Sequence, residues 1–126
     1  MTETAERRTL FAALKQILAR YSDDLTVVAD EEGDYHLDTH HVMKNKQRLF
    51  FGAVRINKNY VSFHLMPVYV NPSLLDTIDI NLKKRMQGKS CFNFTSLDKE
   101  LIDGLATLTE TGYQYYIEES YIQRNA

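Results

Sequence analysis

The sequence predicts an α+β two-layer sandwich: an antiparallel sheet of about five strands, N- and C-terminal helices on one face, and a helical crossover before the last strand. Three observations predict it. Residues 48–66, RLFFGAVRINKNYVSFHLM, read as a β-hairpin turning at Asn57-Lys58. Both ends of the chain carry apolar residues at the three- and four-residue spacing of an amphipathic helix. A short alternating run, KSCFNF at 89–94, follows a helix-start signal at Asn71-Pro72 and precedes the last helical segment.

The elements follow in order. Residues 3 to about 21 form a helix whose stripe is Leu10, Leu14, Ile17, Leu18 and Tyr21, with Arg7, Arg8, Lys15 and Arg20 off it. Ser22-Asp23-Asp24 ends that helix, and LTVVA supplies β-branched residues for a strand at about 25–29. After an acidic turn at 30–34, YHLD alternates, which sends Tyr35 and Leu37 inward and His36 and Asp38 outward. THHVMKNKQ has no sustained period and reads as a loop, with His40 and His41 in solvent.

In the hairpin, a turn at 57–58 sets Ile56 opposite Asn59, Arg55 opposite Tyr60, Val54 opposite Val61, Gly52 opposite Phe63 and Phe50 opposite Leu65. Because side chains alternate, Phe50, Gly52, Val54, Val61, Phe63 and Leu65 make an apolar face. Phe51, Ala53, Arg55, Tyr60, Ser62 and His64 take the other. Pro67 breaks the ladder, and a helix from Asn71 to about Gln87 follows, with Leu74, Leu75, Ile78, Leu82 and Met86 on its apolar side and Gly88 as left-handed cap. Phe92 and Phe94 then point to the core, and Cys91 and Asn93 away from it. Thr95-Ser96 with Asp98 resembles a capping box for a helix at about 97–118, in which Gly112 marks a bend. The tail after Tyr121 is expected to fray.

The 126 residues make a single domain able to bury a core unaided. A net charge of −2 argues against a nucleic-acid partner, and no apolar run approaches the roughly 20 residues that span a bilayer. The lone Cys91 allows no internal disulfide and no leader pattern opens the sequence, so a cytoplasmic location is expected. Charge is segregated. Residues 22–39 carry only acids (Asp23, Asp24, Asp30, Glu31, Glu32, Asp34, Asp38), whereas 42–70 and then 80–97 carry only bases. The main expectation is mutual pairing of solvated edges, and the second an anion-attracting rim.

FFGAVRINKNYVSFHLMPVY, followed by the helix ending in MQGKSCFNF, resembles the YdhG-like family of the YdhG/YjbR/CyaY superfamily over residues 49–116. The resemblance implies a frataxin-like α+β fold and, as a possible activity, iron carriage. HHVMKNKQRL stands where that family has a Tyr-Gly-Met-Pro type segment, and the first helix carries Arg7, Arg8, Lys15 and Arg20 where frataxin's is acid-rich.

Three constellations could carry chemistry. Arg55, Tyr60, Ser62 and His64 share one hairpin face and could bind a carboxylate or phosphate, flanked by Lys44, Lys46 and Arg48 and by Lys89 and Asn93. The plainer reading is a solvated sheet face with an Arg–Tyr contact. His36, Asp38 and a cross-strand His64 resemble a two-histidine, one-carboxylate metal set. Cys91 with His64 suggests a nucleophile and base, though a half-buried strand cysteine is usually packing. Gly88-Lys89-Ser90 lacks the glycine a phosphate loop needs five positions earlier, where Lys83 stands. The expected function is therefore a non-catalytic binding module, monomer or homodimer, whose open sheet face takes a small anionic molecule or a protein. The alternative is a frataxin-like metal chaperone, for which the resemblance implies iron as the cofactor, and the third an enzyme of unknown class.

Overall fold

The structure, a computed structural model, describes residues 2–123. The chain runs α1 (Thr2–Ala19), β1 (Thr26–Glu31), β2 (Asp34–Val42), β3 (Arg48–Ile56), β4 (Val61–Leu65), α2 (Met66–Val70), α3 (Ile80–Lys83), β5 (Cys91–Phe94) and α4 (Lys99–Glu118), with 3₁₀ turns at Ser22–Asp24 and Pro72–Leu75. Its five strands form one antiparallel sheet in sequence order. The helical crossover lies between β4 and β5, and α1 and α4 cover one face, as the sequence predicts.

Burial of the two helical stripes holds the layers together. Leu10, Phe11, Leu14, Ile17, Leu18 and Tyr21 of the first segment are buried, and so are Leu105, Leu108, Tyr113 and Tyr116 of α4. They meet Tyr35, Leu37, Phe63, Leu65, Phe92 and Phe94 from the sheet. At roughly 1.5 to 3 kcal/mol per fully buried large side chain, this single core outweighs any surface ion pair. Asp98 alone caps α4, its carboxylate accepting from the Glu100 and Leu101 N–H groups at 3.0 and 3.3 Å. The helix therefore starts at Lys99 and leaves Leu97 outside, 56% exposed.

Other boundaries depart from expectation for local reasons. β1 runs on to Glu31, so the acidic turn shrinks to Glu32-Gly33, where Gly33 supplies a φ of +83°. Thr39–Val42 is strand, not loop: the buried Thr39 hydroxyl donates to Leu49 O at 2.8 Å and its oxygen accepts from His41 N–H. His41 is correspondingly packed on Tyr121, with ring centroids 4.9 Å apart. The helix expected at 71–87 is instead α2, a 3₁₀ turn and α3, because Pro67 opens α2 rather than ending the chain's order, and Asp79 starts a new helix by accepting from Asn81 N–H. Asn71 caps no backbone group; its side-chain oxygen takes the Ser73 hydroxyl at 2.7 Å. Ile122 is buried, which ties down the start of the tail; residues 124–126 lie outside the described ones.

Two corrections concern the hairpin. Its turn spans 57–60, closed by Asn57 N–H donating to Tyr60 O at 2.8 Å, so Ile56 faces Val61, Arg55 faces Ser62 and Gly52 faces Leu65. Register moves by two residues, which keeps each β4 residue on its expected face. In β3, however, Leu37 pairs with Gly52 while Asp38 pairs with Phe50, which leaves Phe51 as a bulge. Phe51 and Gly52 both turn to the helices and Phe50 turns away. Phe51 packs edge-on to Tyr21 and Tyr116 with centroids 6.0 and 5.8 Å apart. A Cβ on Gly52 would lie 2.9 Å from Leu18 Cδ2 and 3.0 Å from His64 O, so only glycine lets α1 sit this close.

Candidate functional site

Since α2 and α3 both pack on α4, every helix lies on one side and the other sheet face is uncovered among the described residues. Strand register arranges that face in two cross-sheet rows. His36, Ala53, His64 and Cys91 form one, and Asp34, Arg55, Ser62 and Asn93 the next. Neighbouring strands are about 4.8 Å apart, so His36 and His64 stand about 10 Å apart at the backbone with only the Ala53 methyl between them.

The first row is polar but partly enclosed. His36 Nε2 lies 2.8 Å from Asp38 Oδ1, and its ring rests on Phe50 at 4.7 Å. His64 Nε2 is 3.7 Å from Cys91 Sγ. Burial, then Arg55, then His36 push the His64 imidazole below its ordinary pKa, while burial pushes the Cys91 thiol up. Both groups thus favour their neutral forms, the opposite of the thiolate–imidazolium pair that nucleophilic chemistry uses.

The second row holds its cation in place. Arg55 Nε donates to Asp34 Oδ1 at 3.2 Å, with both side chains partly exposed. Ser62 is almost fully buried, its hydroxyl accepting from Asn57 Nδ2 at 3.1 Å, so it braces the turn rather than facing a ligand. Asn93 Oδ1 accepts from the Cys91 thiol at 3.4 Å.

Of the expected ligand residues, Arg55, His64 and Asn93 are brought together, with Ser62 beneath them. Tyr60 is not in these rows, because it lies in the turn, its carbonyl accepting from Asn57 N–H, before β4 begins at Val61. Lys46 is not either: it sits in the β2–β3 turn, whereas Arg55 lies near the other end of β3, about 23 Å along the strand from Arg48. For the expected metal set, His36 and Asp38 meet, but among the described residues no group of three or more His, Cys, Asp or Glu side chains is placed to hold an ion. His40 instead pairs with Thr26, Nδ1 to Oγ1 at 3.0 Å. Sequence reading missed the Ala53 floor, the Phe50 support under His36 and the Asp34 clamp on Arg55, each of which depends on the β2–β3 register.

The acidic segment pairs largely within its own half of the chain. Glu32 meets Arg8 at 3.2 Å, Asp30 meets Lys15 at 2.7 Å and Asp34 meets Arg55. Among the described residues Lys44, Lys46, Arg48, Lys83, Lys84, Arg85 and Lys89 form no ion pair. No helix of the described residues is long and apolar enough to cross a membrane.

The depressed His64 pKa has a consequence for stability. Unfolded, this histidine binds its proton near the ordinary value of about 6.5; folded, it resists it. Between that value and its lower folded pKa the unfolded chain holds more protons, so stability falls as pH drops through this window and levels off below it. Thermal melts should show His64→Gln flattening this slope; an unchanged slope in the variant would assign it to other groups.

No family model, curated protein or solved structure matches the chain.

Proposed function

We propose that the uncovered sheet face binds an anionic group, a carboxylate or an oxyanion presented by a small molecule or by a protein partner, and that the chain is a non-catalytic binding module. The observation that supports this reading is the register itself. It leaves a one-methyl floor at Ala53, between His36 and His64 and next to an arginine that Asp34 holds outward. Ala53 is itself only 1% exposed, so an anion would be met above it by donors from the flanking side chains, and among the described residues no helix packs on this face. Folding does not require this arrangement, since the opposite face carries the core. We place the chain in the cytoplasm, which the free Cys91 suits, and beside the YdhG-like proteins on its order of elements; metal carriage is the alternative.

The proposal fixes a pH dependence. The groups facing His64 are Arg55 and Ala53 from β3, His36 and Asp38 from β2, and Cys91 and Asn93 from β5. An anion there offsets the repulsion from Arg55 and His36, so it binds more tightly to protonated His64, and affinity rises as pH falls through the range in which His64 takes up its proton. Sulfate, doubly charged throughout this range, is a suitable probe. Titrations followed by amide shifts should perturb Ala53, Arg55, His64 and Asn93, and Arg55→Gln should weaken binding while shifting stability by less than about 1 kcal/mol. Perturbations elsewhere only, or an affinity indifferent to Arg55, would overturn the reading.

A further inference from the structure

Outside the sheet face, a cavity of about 530 Å³ opens between α2, the 3₁₀ turn at Pro72–Leu75 and the segment leading into β5. The buried Val68 and the partly covered Leu75 and Met86 line its inner part, and the exposed Tyr69, Pro72 and Lys89 line its edge. Local chain geometry builds it. α2 ends at Val70, and Pro72 restarts the chain as a tighter turn, which leaves Leu75 facing back towards Val68. Across the gap, Gly88 has a φ of +82° with nothing within 4 Å of where a Cβ would sit, and Lys89 follows it in the cavity lining. The walls are fastened: Gln87 N–H donates to Cys91 O at 2.8 Å, Leu65 N–H donates to Ser90 O at 2.9 Å, and Met86 bridges Phe92.

We propose that this cavity is a binding site for a medium-chain alkyl carboxylate. Its size lies within the range of small-molecule pockets, with apolar walls and few polar groups. Val68 is fully buried, whereas Leu75 and Met86 are only partly covered, and methionine adapts readily to a flexible chain. Tyr69, 54% exposed, lines the same cavity as Lys89, so a phenolic donor and an ammonium both border it. One cation and one hydroxyl at an apolar mouth match a single carboxylate on an alkyl body. Charge favours the same sign, because Lys83, Lys84, Arg85 and Lys89 lack acid partners among the described residues and no acid occurs between Ile80 and Leu97. Asp79, the nearest acid before them, caps α3 and does not line the cavity.

Decanoate, below its micelle-forming concentration, tests this on the full chain, with decanol and decylammonium as controls. Decanoate should shift the amides of Val68, Tyr69, Leu75, Met86 and Lys89 saturably. Lys89→Glu, at an exposed position that leaves the fold intact, should weaken it about tenfold, the scale of one charged hydrogen bond. Decylammonium should not compete. The proposal is overturned if decanoate produces no saturable shifts at these amides, if the three amphiphiles bind equally, or if Lys89→Glu binds decanoate as well as the parent.

Discussion

Phe51→Ala should destabilise the protein by about 3 to 5 kcal/mol, the range for emptying a buried aromatic site, while Phe50→Ala should cost far less. The two residues are adjacent and chemically identical, so only the bulge separates them. Phe51 is 0% exposed and rings Tyr21, Tyr113 and Tyr116 surround it, whereas Phe50 lies on the uncovered face against His36. Denaturant unfolding of both variants decides the matter. The reverse order would place Phe50 in the core, as unbroken alternation from Phe50 to Leu65 requires, and would remove the register on which the site rests.

The second large effect is expected at Gly112. By helix propensity alone, replacing this glycine by alanine should gain about 1 kcal/mol. The structure opposes that gain, because a Cβ here would lie 2.9 Å from Pro67 Cβ and 3.1 Å from its Cγ. A proline ring opening a helix cannot swing aside as a long side chain can, so α2 and α4 must separate. Gly112→Ala should therefore bring no stability, and Gly112→Val should cost about 1 to 3 kcal/mol, the usual penalty of overpacking. A stabilised Gly112→Ala would show that the glycine marks the bend its sequence context suggests rather than a helix contact.

The parts of this fold that are legible in the sequence are those where period and burial agree. The α1 and α4 stripes, the Tyr35 and Leu37 alternation and the Phe92 and Phe94 pair each repeat with one period and meet one core. Phe50-Phe51 is the opposite case: two equal aromatics give alternation no means to choose, and a bulge admits one residue without changing the pattern around it. The crossover was legible, but not its division into separate helices, because Leu74, Ile78, Leu82 and Met86 keep helical spacing while Asp79 caps a helix in their midst. At the candidate site, Arg55 and His64 were findable because they share a hairpin, and a two-residue slip does not change faces. Tyr60 was lost to that slip. Asp34 and Ala53 were out of reach, since their roles exist only once β2 is laid against β3.

The measurement that bears most directly on the binding face is the titration of the His64 imidazole by NMR, with and without sulfate. In the free protein its pKa should lie below the ordinary value of about 6.5, because burial, Arg55 and His36 all oppose the proton. Saturating sulfate should move the curve upward in the parent and less so in Arg55→Gln. An identical His64 curve at every sulfate concentration would contradict the account and leave the uncovered sheet as a solvated surface.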